Sequence, residues 1–180
     1  KNGDVIPQVT DPAQWNGLTT GAWCYYNNNS ILGPIYGKLY NWFAVNTGKL
    51  CPTGWHVPTD GEWNVMVKFL DPNADTVCSG CVQSGIAGGA LKSTAIQPTP
   101  GGWNSPNAGA TNSSGFSAGP GGLRSVDGLF IALGDDGYWW SSSLSGTLAW
   151  YRLLYHHHGV IGRNYSTNGS LGFSVRCLRD

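Results

Sequence analysis

Three consecutive histidines, His156, His157 and His158, are the residues with the clearest capacity for chemistry. In a strand, His156 and His158 would share a face, and two imidazole rings can begin a zinc or copper site. Such a site needs a third ligand and supporting carboxylates, and the nearest carboxylates in the sequence belong to Asp135 and Asp136. Because no third ligand is identified, the sequence favours exposed recognition residues in a loop, and we predict no metal site here.

Cys78 and Cys81 form a CxxC pair, which can be a redox motif, half of a zinc site or a local disulfide. A redox role requires a strand–helix–strand context, whereas this pair lies in a polar, glycine-rich segment. The sequence contains no second CxxC pair that would complete a zinc site. A structural disulfide between Cys78 and Cys81 is therefore the prediction.

Other residues offer little catalytic chemistry. Asp135 and Asp136, followed by Gly137, could hold a structural calcium ion, although a turn between strands explains the same residues. Glu62 is the only glutamate, so general acid and base groups are scarce. Nucleophile-elbow, zinc-protease and phosphate-binding motifs are absent from the sequence. We expect a protein that is not an enzyme and needs no cofactor. The only bound ion that we consider possible is a structural calcium ion.

Composition bounds the class of protein. Only 11% of the 180 residues are charged and the formal net charge is zero, so nucleic acid is not an expected partner. No stretch approaches the roughly 20 apolar residues of a membrane span. Nine tryptophans and eight tyrosines supply large side chains with a polar atom, which is typical of recognition surfaces. With five cysteines, this composition favours a secreted or surface-exposed protein.

The sharpest local signal is a helix after residue 59. Thr59 fits a helix N-cap, and Glu62 completes a capping box with it. One face of the helix is then apolar, formed by Trp63, Met66, Val67 and Leu70. The helix is predicted to end at Asp71-Pro72. His56, in an apolar frame just before it, is predicted to be a buried core histidine.

The remaining segments predict strands and loops. Residues 36–45 fit a helix or a strand equally well, and residues 71–122 predict mostly loop with a short helix near 89–94. Strands are predicted at 138–142, 149–155 and 173–178, the last from the alternation of Phe173, Val175 and Cys177 with polar residues. The expected fold is a single α+β domain over residues 1–180, with a small twisted antiparallel sheet, short helices and much irregular loop.

Six segments carry a resemblance to a known family: YGKLYNWFAV, CPTGWHVPTDGEW, WNSPNAGATNSSGFSAGPGG, YWWSSS, AWYRLL and GFSVRCLRD. In this order they closely resemble the Fibrobacter succinogenes major paralogous domain, over nearly the whole chain from the region of Val9 to Asp180. This family looks like a branch of the C-type-lectin-like superfamily and shares its architecture with the formylglycine-generating enzymes. The resemblance therefore implies a C-type-lectin-like fold.

Similar domains that end in a GFSVRC-type strand serve as variable proteins of diversity-generating retroelements. In those systems, template adenines are mutagenised during reverse transcription, and the copy replaces the 3′ end of the target gene. The resemblance thus implies a binding region within residues 144–171 on a fixed scaffold that includes Trp150, Arg152 and Arg163. The implied variable positions are Leu144, Gly146, Leu153, Tyr155, His156, His157, His158, Gly159, Val160, Gly162, Asn164, Tyr165, Ser166, Asn168, Gly169 and Leu171.

The residue types in this region agree with adenine mutagenesis. Changed adenines in an Asn codon can produce His, Tyr, Ser or Gly, but never Lys, Glu, Gln or Met, and residues 144–171 contain none of those four. We expect Tyr155, the three histidines, Asn164 and Tyr165 to share one exposed face, and we expect Trp150, Phe173 and Val175 to lie in the core. The alternative is a fixed adhesin or carbohydrate-binding surface domain without diversification.

The same resemblance bounds partners and chemistry. The calcium-dependent sugar-binding motifs of true C-type lectins and the paired active-site cysteines of formylglycine-generating enzymes have no counterpart here. The expected partner is a protein or glycan ligand on another cell or a phage surface. The expected location is extracellular, on a cell surface or on a phage virion.

A disulfide between Cys51 and Cys177 is implied by its resemblance to the bridge between the first helix and last strand of C-type lectins. This link would close a loop of more than a hundred residues, which stabilises a chain by about 4–5 kcal/mol on the chain-entropy model. Cys24 would then stay buried and free. The rival pairing, Cys24 with Cys177, remains open.

Overall fold

A six-stranded sheet lies at the centre of the molecule. The computed structural model describes residues 3–180. The helices are α1 (Pro12–Asn16), α2 (Gly33–Tyr36), α3 (Trp42–Asn46), α4 (Asp60–Leu70) and α5 (Ala87–Leu91). The strands are β1 (Trp23–Cys24), β2 (Leu39–Tyr40), β3 (Trp55–His56), β4 (Cys81–Ser84), β5 (Gly121–Arg124), β6 (Phe130–Leu133), β7 (Asp136–Ser145), β8 (Leu148–Tyr155), β9 (Ile161–Ser166) and β10 (Leu178–Arg179). Short helices beside a multistranded sheet confirm the α+β prediction.

The strand order in the central sheet is β4-β9-β8-β7-β5-β6. Neighbouring strands are antiparallel, except that β5 and β7 meet in parallel at Gly122 and Gly137. The hairpin of β7 and β8 is the longest pairing, and β9 extends it on the other side of β8. Two further pairs, β1 with β2 and β3 with β10, lie outside this sheet. The strands predicted at 138–142 and 149–155 are confirmed as parts of β7 and β8.

Both faces of the β7–β9 unit are covered by core residues, because successive side chains of a strand point to opposite faces. Leu154 and Ile161 pack with Trp63 of α4 on one face. Trp140 and Phe173 pack in a second cluster on the other face. A third cluster, around Trp15, Cys24 and Tyr26, joins the N-terminal segment to the edge of the sheet.

Helix α4 begins as predicted. The Thr59 hydroxyl accepts a hydrogen bond from the Glu62 amide (3.2 Å), and the Glu62 carboxylate accepts one from the Thr59 amide (2.8 Å). Trp63 and Val67 are fully buried, and the other two residues of the predicted apolar face pack at the edge of the same cluster. The capping box and the apolar periodicity are therefore both confirmed.

His56 is not the buried core histidine that the sequence predicts. Its side chain is one-third exposed, and its ring lies between two carboxylates. Nδ1 is 2.6 Å from Asp180 Oδ1, and Nε2 is 2.9 Å from Glu62 Oε1. These hydrogen bonds, the one to Asp180 most, raise the pKa of His56. The apolar frame around His56 belongs to the chain before α4, while the ring itself faces charged partners.

The C-terminal segment differs from the predicted strand at 173–178. Phe173 pairs with Tyr40, Ser174 pairs with Trp139, and a regular ladder resumes only at β10. Phe173 is fully buried, whereas Val175 and Cys177 are half-buried. Phe173, Val175 and Cys177 all pack against the second core cluster, so the predicted inward alternation is confirmed, although the chain changes pairing partners along this segment.

Two loop-rich regions contain more structure than the sequence predicts. Residues 36–45 end one helix, form β2 and begin α3, so both the helical and the strand interpretations are correct in part. Strand β4 and helix α5 lie within the predicted loop 71–122, and α5 ends at Leu91 rather than continuing to residue 94. Among the helices of residues 3–180, none has the length and apolarity needed to cross a bilayer.

Both predicted disulfides are present. Cys51 is joined to Cys177 across 126 residues of sequence, and Cys78 is joined to Cys81. Cys24 is buried and free, so the rival pairing with Cys177 is wrong. Burial raises the pKa of the Cys24 thiol to about 11, which keeps it protonated at neutral pH.

Candidate binding face

The predicted variable residues lie at two opposite ends of the central sheet. Strand β8 runs from the β7–β8 turn to the β8–β9 turn, and eight residues of strand span about 23 Å. Leu144, Gly146 and Ser166 lie at the first end, where Ala149 pairs with Ser166. Residues 155–160, which we call the display loop, form the other end. The predicted variable residues at these two ends therefore belong to two separate surfaces.

The display loop carries a cluster of aromatic and imidazole rings. The Tyr155 and His158 ring centroids lie 4.5 Å apart, those of His157 and His158 lie 4.3 Å apart, and those of His156 and His157 lie 5.0 Å apart. His157 is exposed, and the other three residues are half-buried. Consecutive residues thus present one continuous surface of rigid rings, a type of surface common in binding loops.

A buried lysine holds the display loop from below. The Lys92 Nζ atom donates hydrogen bonds to the carbonyl oxygens of Ala108 (2.8 Å), Tyr155 (2.9 Å) and His158 (3.1 Å). An ammonium group has three donors, so these three acceptors satisfy it completely. The Lys92 side chain is fully buried, and this burial lowers its pKa from 10.5 to about 8. At neutral pH the ammonium form therefore still predominates and holds the loop.

Further main-chain hydrogen bonds fix the path of the loop. The His156 amide donates to the Asp135 carbonyl (2.7 Å), and the His156 carbonyl accepts from the Ala108 amide (2.8 Å). The Gly159 carbonyl accepts from the Gly89 amide (2.9 Å). A Cβ atom on Gly88 would collide with the Val160 carbonyl, so the glycines of α5 allow this close approach. All of these contacts use main-chain atoms of the loop.

The charges near the loop are already engaged with protein groups. The Asp135 carboxylate accepts a hydrogen bond from the Asn104 side-chain Nδ2 atom (2.9 Å), and it lies 3.4 Å from His156 Nδ1 without hydrogen-bond geometry. The Asp136 carboxylate accepts one from the Tyr138 hydroxyl (2.9 Å). Burial lowers the pKa of His158, which favours its neutral ring. Within residues 3–180, no group of three or more His, Cys, Asp or Glu side chains is placed to hold a metal ion.

Four of the predicted variable positions are packed into the structure. Leu153 and Gly162 are buried in the centre of the sheet. Leu171 packs against the second core cluster, and a Cβ atom on Gly169 would lie only 2.8 Å from the Phe43 ring. These positions form part of the scaffold, so the prediction that every member of the set belongs to the binding face needs this correction.

Tyr165 does not share a face with the histidines. Side chains alternate along β9, and Tyr165 lies on the α4 side, where its ring contacts Trp150 edge-on at 5.4 Å. Asn164, one residue earlier, points to the other side and is half-buried. The prediction of one face that contains both Tyr155 and Tyr165 is wrong, because the two residues lie at different ends and on opposite sides of the sheet.

A buried charged centre, which sequence reasoning missed, joins α4 to β8 and β9. The Arg163 guanidinium donates to both carboxylate oxygens of Asp60 (3.0 and 2.7 Å), and Arg152 Nη2 lies 2.8 Å from Asp60 Oδ1. Arg152 also donates to Gln83 (2.8 Å) and Asn64 (2.8 Å). Burial alone would raise the pKa of Asp60, but the two arginines hold it below its ordinary value.

This Asp60 centre, consisting of Asp60, Arg152 and Arg163, fixes the strands that carry the display loop. The Arg163 guanidinium also lies 3.8 Å from the Trp150 ring centroid and donates to the Cys78 carbonyl, which ties the Cys78–Cys81 disulfide loop to β9. The available signal was Asp60 in the first turn of a predicted helix, Arg152 on a predicted strand, and Arg163 among the residues that the resemblance assigns to the fixed scaffold. Their pairing was not visible, because about a hundred residues of sequence separate them.

Comparison with known protein families gives one match. The model of the Fibrobacter succinogenes major domain matches residues 1–179, so the chain belongs to this family. The family prediction from the six sequence segments is thus confirmed. No curated protein and no solved structure matches the chain.

Proposed function

We propose that this protein is a secreted or surface-displayed, non-catalytic binding protein that recognises a macromolecule through its display loop. One observation carries the proposal: the hydrogen bonds that hold the loop come from Lys92 and from main-chain groups, and none of them uses a side chain of the loop. A loop held in this way keeps its path when its side chains change. Such an arrangement suits a binding surface that differs between copies of a gene.

Diversification by a retroelement is the second part of the proposal. The loop consists of Tyr, His, Gly and Val, all of which mutated adenine-containing codons can encode. Gly159 could accept a side chain without strain, because its nearest neighbour, the Gly109 Cα atom, would lie 3.7 Å from an added Cβ atom. We therefore place the diversified surface at residues 155–160, and Asn164, farther along β9, is a separate position that can vary. Leu153, Gly162, Gly169 and Leu171 belong to the fixed part.

A C-type-lectin-like fold is the finer architectural proposal. It is supported by the Cys51–Cys177 link, which joins the chain before α4 to the last segment, and by the irregular backbone around a small twisted sheet. The two disulfides also agree with the extracellular location that we propose. The ligand would be a protein or glycan on another cell or on a phage surface.

The DNA around the gene tests this proposal directly. We expect a reverse transcriptase gene nearby and a near-copy of the codons for residues 144–171 in which adenines replace other bases. Sister copies of the gene should differ mainly at residues 155–160 and 164, and they should keep Lys92 and Asp60. If the DNA holds neither feature and variation is spread over all loops, diversification is excluded and a fixed surface-binding domain takes its place.

A further inference from the structure

The segment between Phe173 and β10 has main-chain groups without partners. The Ser174 amide donates to the Tyr138 carbonyl (3.0 Å), and the ladder with β3 begins at Leu178. Between them, the N–H and C=O groups of residues 175–177 make no hydrogen bond to any part of residues 3–180. Main-chain polar groups are nearly always satisfied in folded proteins, by water where the chain supplies no partner. This segment can therefore pair with a strand from outside the molecule.

Three depressions adjoin the same segment and together form what we call the terminal groove. The first, of about 460 Å³, is lined by Tyr25, Tyr36 and Tyr40. It shares Ser174 and Val175 with a middle depression of about 450 Å³. The middle depression is lined by Gly101, Gly119, Gly121 and Trp139, and it continues past Arg176 and Cys177. Its glycines leave room above the main chain.

The third depression is small and apolar. It has a volume of about 210 Å³ and is lined mainly by Pro58, Trp63, Met66, Phe116 and Leu178. Arg176 and Cys177 line both this cleft and the middle depression, so the three depressions follow one another along the segment. A cleft of this size and lining fits one aliphatic or aromatic side chain. It marks one end of the groove as an anchor position.

The walls of the terminal groove are fixed before any ligand arrives. Cys177 is tied to Cys51, and the Ser174 carbonyl accepts a hydrogen bond from the Trp140 amide (3.2 Å). Arg176 donates to the Phe116 carbonyl (2.9 Å), and its guanidinium lies 4.6 Å from the Phe116 ring centroid. A preformed groove loses little conformational entropy when it binds a ligand.

The charges along the groove favour a neutral or acidic ligand. Lys38 and Arg176 are the cations that line it, and Glu62 is its acidic residue. The Glu62 carboxylate is already engaged, because it accepts hydrogen bonds from the Thr59 amide and lies 2.9 Å from the His56 ring. Two cations and one carboxylate thus line the groove, so the net charge of its lining is positive, which would repel a basic ligand.

We propose that the terminal groove binds an extended peptide segment of a partner protein, which pairs as a strand with residues 175–177. Strand addition uses main-chain hydrogen bonds for affinity and pockets for alternate side chains for specificity. The peptide places an aliphatic or aromatic residue in the Trp63–Met66 cleft and carries neutral or acidic residues along Arg176. An apolar cleft beside main-chain amides that have no partner in the protein suits a peptide better than a polyhydroxylated sugar. This site lies apart from the display loop and goes beyond the function proposed for it.

The probe is a library of acetylated and amidated heptapeptides with Leu or Phe at one end and Ser, Thr, Asp or Glu elsewhere. We expect the best peptide to slow hydrogen exchange of the Val175, Arg176 and Cys177 amides at least tenfold at saturation, as NMR would show. Methylation of the peptide's main-chain nitrogens at alternate positions should weaken binding at least tenfold, whereas methylation at the positions between should not. This part of the test needs no change in the protein.

The second experiment uses a variant in which a larger side chain fills the groove. Leu in place of Gly119 should lower the affinity at least tenfold, because a Cβ atom there meets only the Gly101 carbonyl at 3.7 Å and the side chain then occupies the groove. Gly85→Leu is the matched control, at an exposed glycine with no atom within 4 Å of its Cβ position, and it should bind like the native protein. Melting temperatures of both variants verify folding.

Four outcomes would overturn the proposal. No peptide of the library binds, or the Gly119→Leu protein folds and binds as tightly as the Gly85→Leu protein. Protection appears at residues 155–160 and not at 175–177, or neutral hexasaccharides bind in the groove where no peptide does.

Discussion

The molecule holds buried cations in two different ways. Lys92 donates only to main-chain carbonyl oxygens, whereas Arg152 and Arg163 meet at the Asp60 carboxylate. The Asp60 centre depends on the identity of the residues at both ends of each contact. The Lys92 site depends on the identity of Lys92 alone, because every residue has a carbonyl group. The Lys92 contacts therefore place no demand on the side chains of residues 108, 155 and 158, whereas the Asp60 contacts require particular side chains at both ends.

Arg124 shows that the carbonyl-only arrangement is used twice. Its guanidinium is fully buried and donates to the carbonyl oxygens of Val9 (2.6 Å), Thr10 (2.9 Å) and Gly128 (3.1 Å). The ring of Trp15 lies 4.3 Å from it. In a fold with much irregular backbone, long basic side chains supply hydrogen bonds that regular secondary structure would otherwise provide.

Removal of the Asp60 carboxylate should have the largest effect. Asp60→Ala leaves two buried guanidinium groups without their anionic partner, and the loss of one partner of a buried ion pair costs about 3–5 kcal/mol. Urea denaturation should show this loss in the free energy of unfolding. Asp127→Asn, at an exposed turn residue, is the control, because its amide oxygen can still accept the hydrogen bond from the Leu129 amide, and it should change that free energy by roughly 0.5 kcal/mol or less. A change at Asp60 as small as the control would contradict the role of the centre.

Lys92→Met should lower the free energy of unfolding less than Asp60→Ala does, and its effect should be confined to the display loop. The substitution keeps the length and apolar stem of the side chain but leaves the Ala108, Tyr155 and His158 carbonyls without their donor, at about 1–3 kcal/mol. Hydrogen exchange should become faster in the display loop while the amides of α4 stay protected. If the loop amides exchange at the native rate, Lys92 does not hold the loop.

The two kinds of site should also differ in their response to pH. The folded pKa of Lys92 is about 8, below its ordinary 10.5, so the unfolded chain binds the proton more strongly between these values. The difference in free energy of unfolding between the native protein and the Lys92→Met variant should therefore not change with pH below pH 8. Between pH 8 and 9.5 it should rise, by up to about 1.4 kcal/mol per pH unit.

The Asp60 centre provides the control for this titration. Asp60 is already ionised above pH 7, and burial lowers the pKa of Arg152 only to about 10. The difference between native protein and Asp60→Ala should thus show no rise between pH 8 and 9.5. A rise there, or its absence in the Lys92 comparison, would contradict the assignment.

Short-range patterns account for what the sequence predicts correctly. The capping box of Thr59 and Glu62 and the apolar face of α4 depend on residues within three or four positions of each other, so they are visible without a structure. The alternation of Phe173, Val175 and Cys177 with polar residues is equally local. Strand β9 escaped prediction because its glycine and polar residues hide the pattern within a segment interpreted as a binding loop.

Contacts between residues that are far apart in the sequence account for the features that the sequence does not predict. Lys92 bonds to Tyr155 and His158, which follow it by 63 and 66 positions, and Asp60 pairs with Arg163 across 103 positions. A lone lysine in a loop-rich region is interpreted as exposed because charged side chains rarely lie fully buried. Residues at the two ends of the sheet were likewise predicted to share one face, because the strand register and the direction of β8 are not apparent in the sequence.

The most direct test of the central claim is to randomise His156, His157 and His158 together and to measure the stability of the folded variants. If main-chain contacts alone hold the display loop, most variants should melt within a few degrees of the native protein. Substitutions of the exposed His157 should cost under about 0.5 kcal/mol, and the half-buried His156 and His158 have no hydrogen bond at Nδ1 to lose. The Ala108 amide, which donates to the His156 carbonyl, should keep its protection from hydrogen exchange. If only variants that retain the histidines fold, their side chains belong to the core, and the display loop is not a surface free to vary.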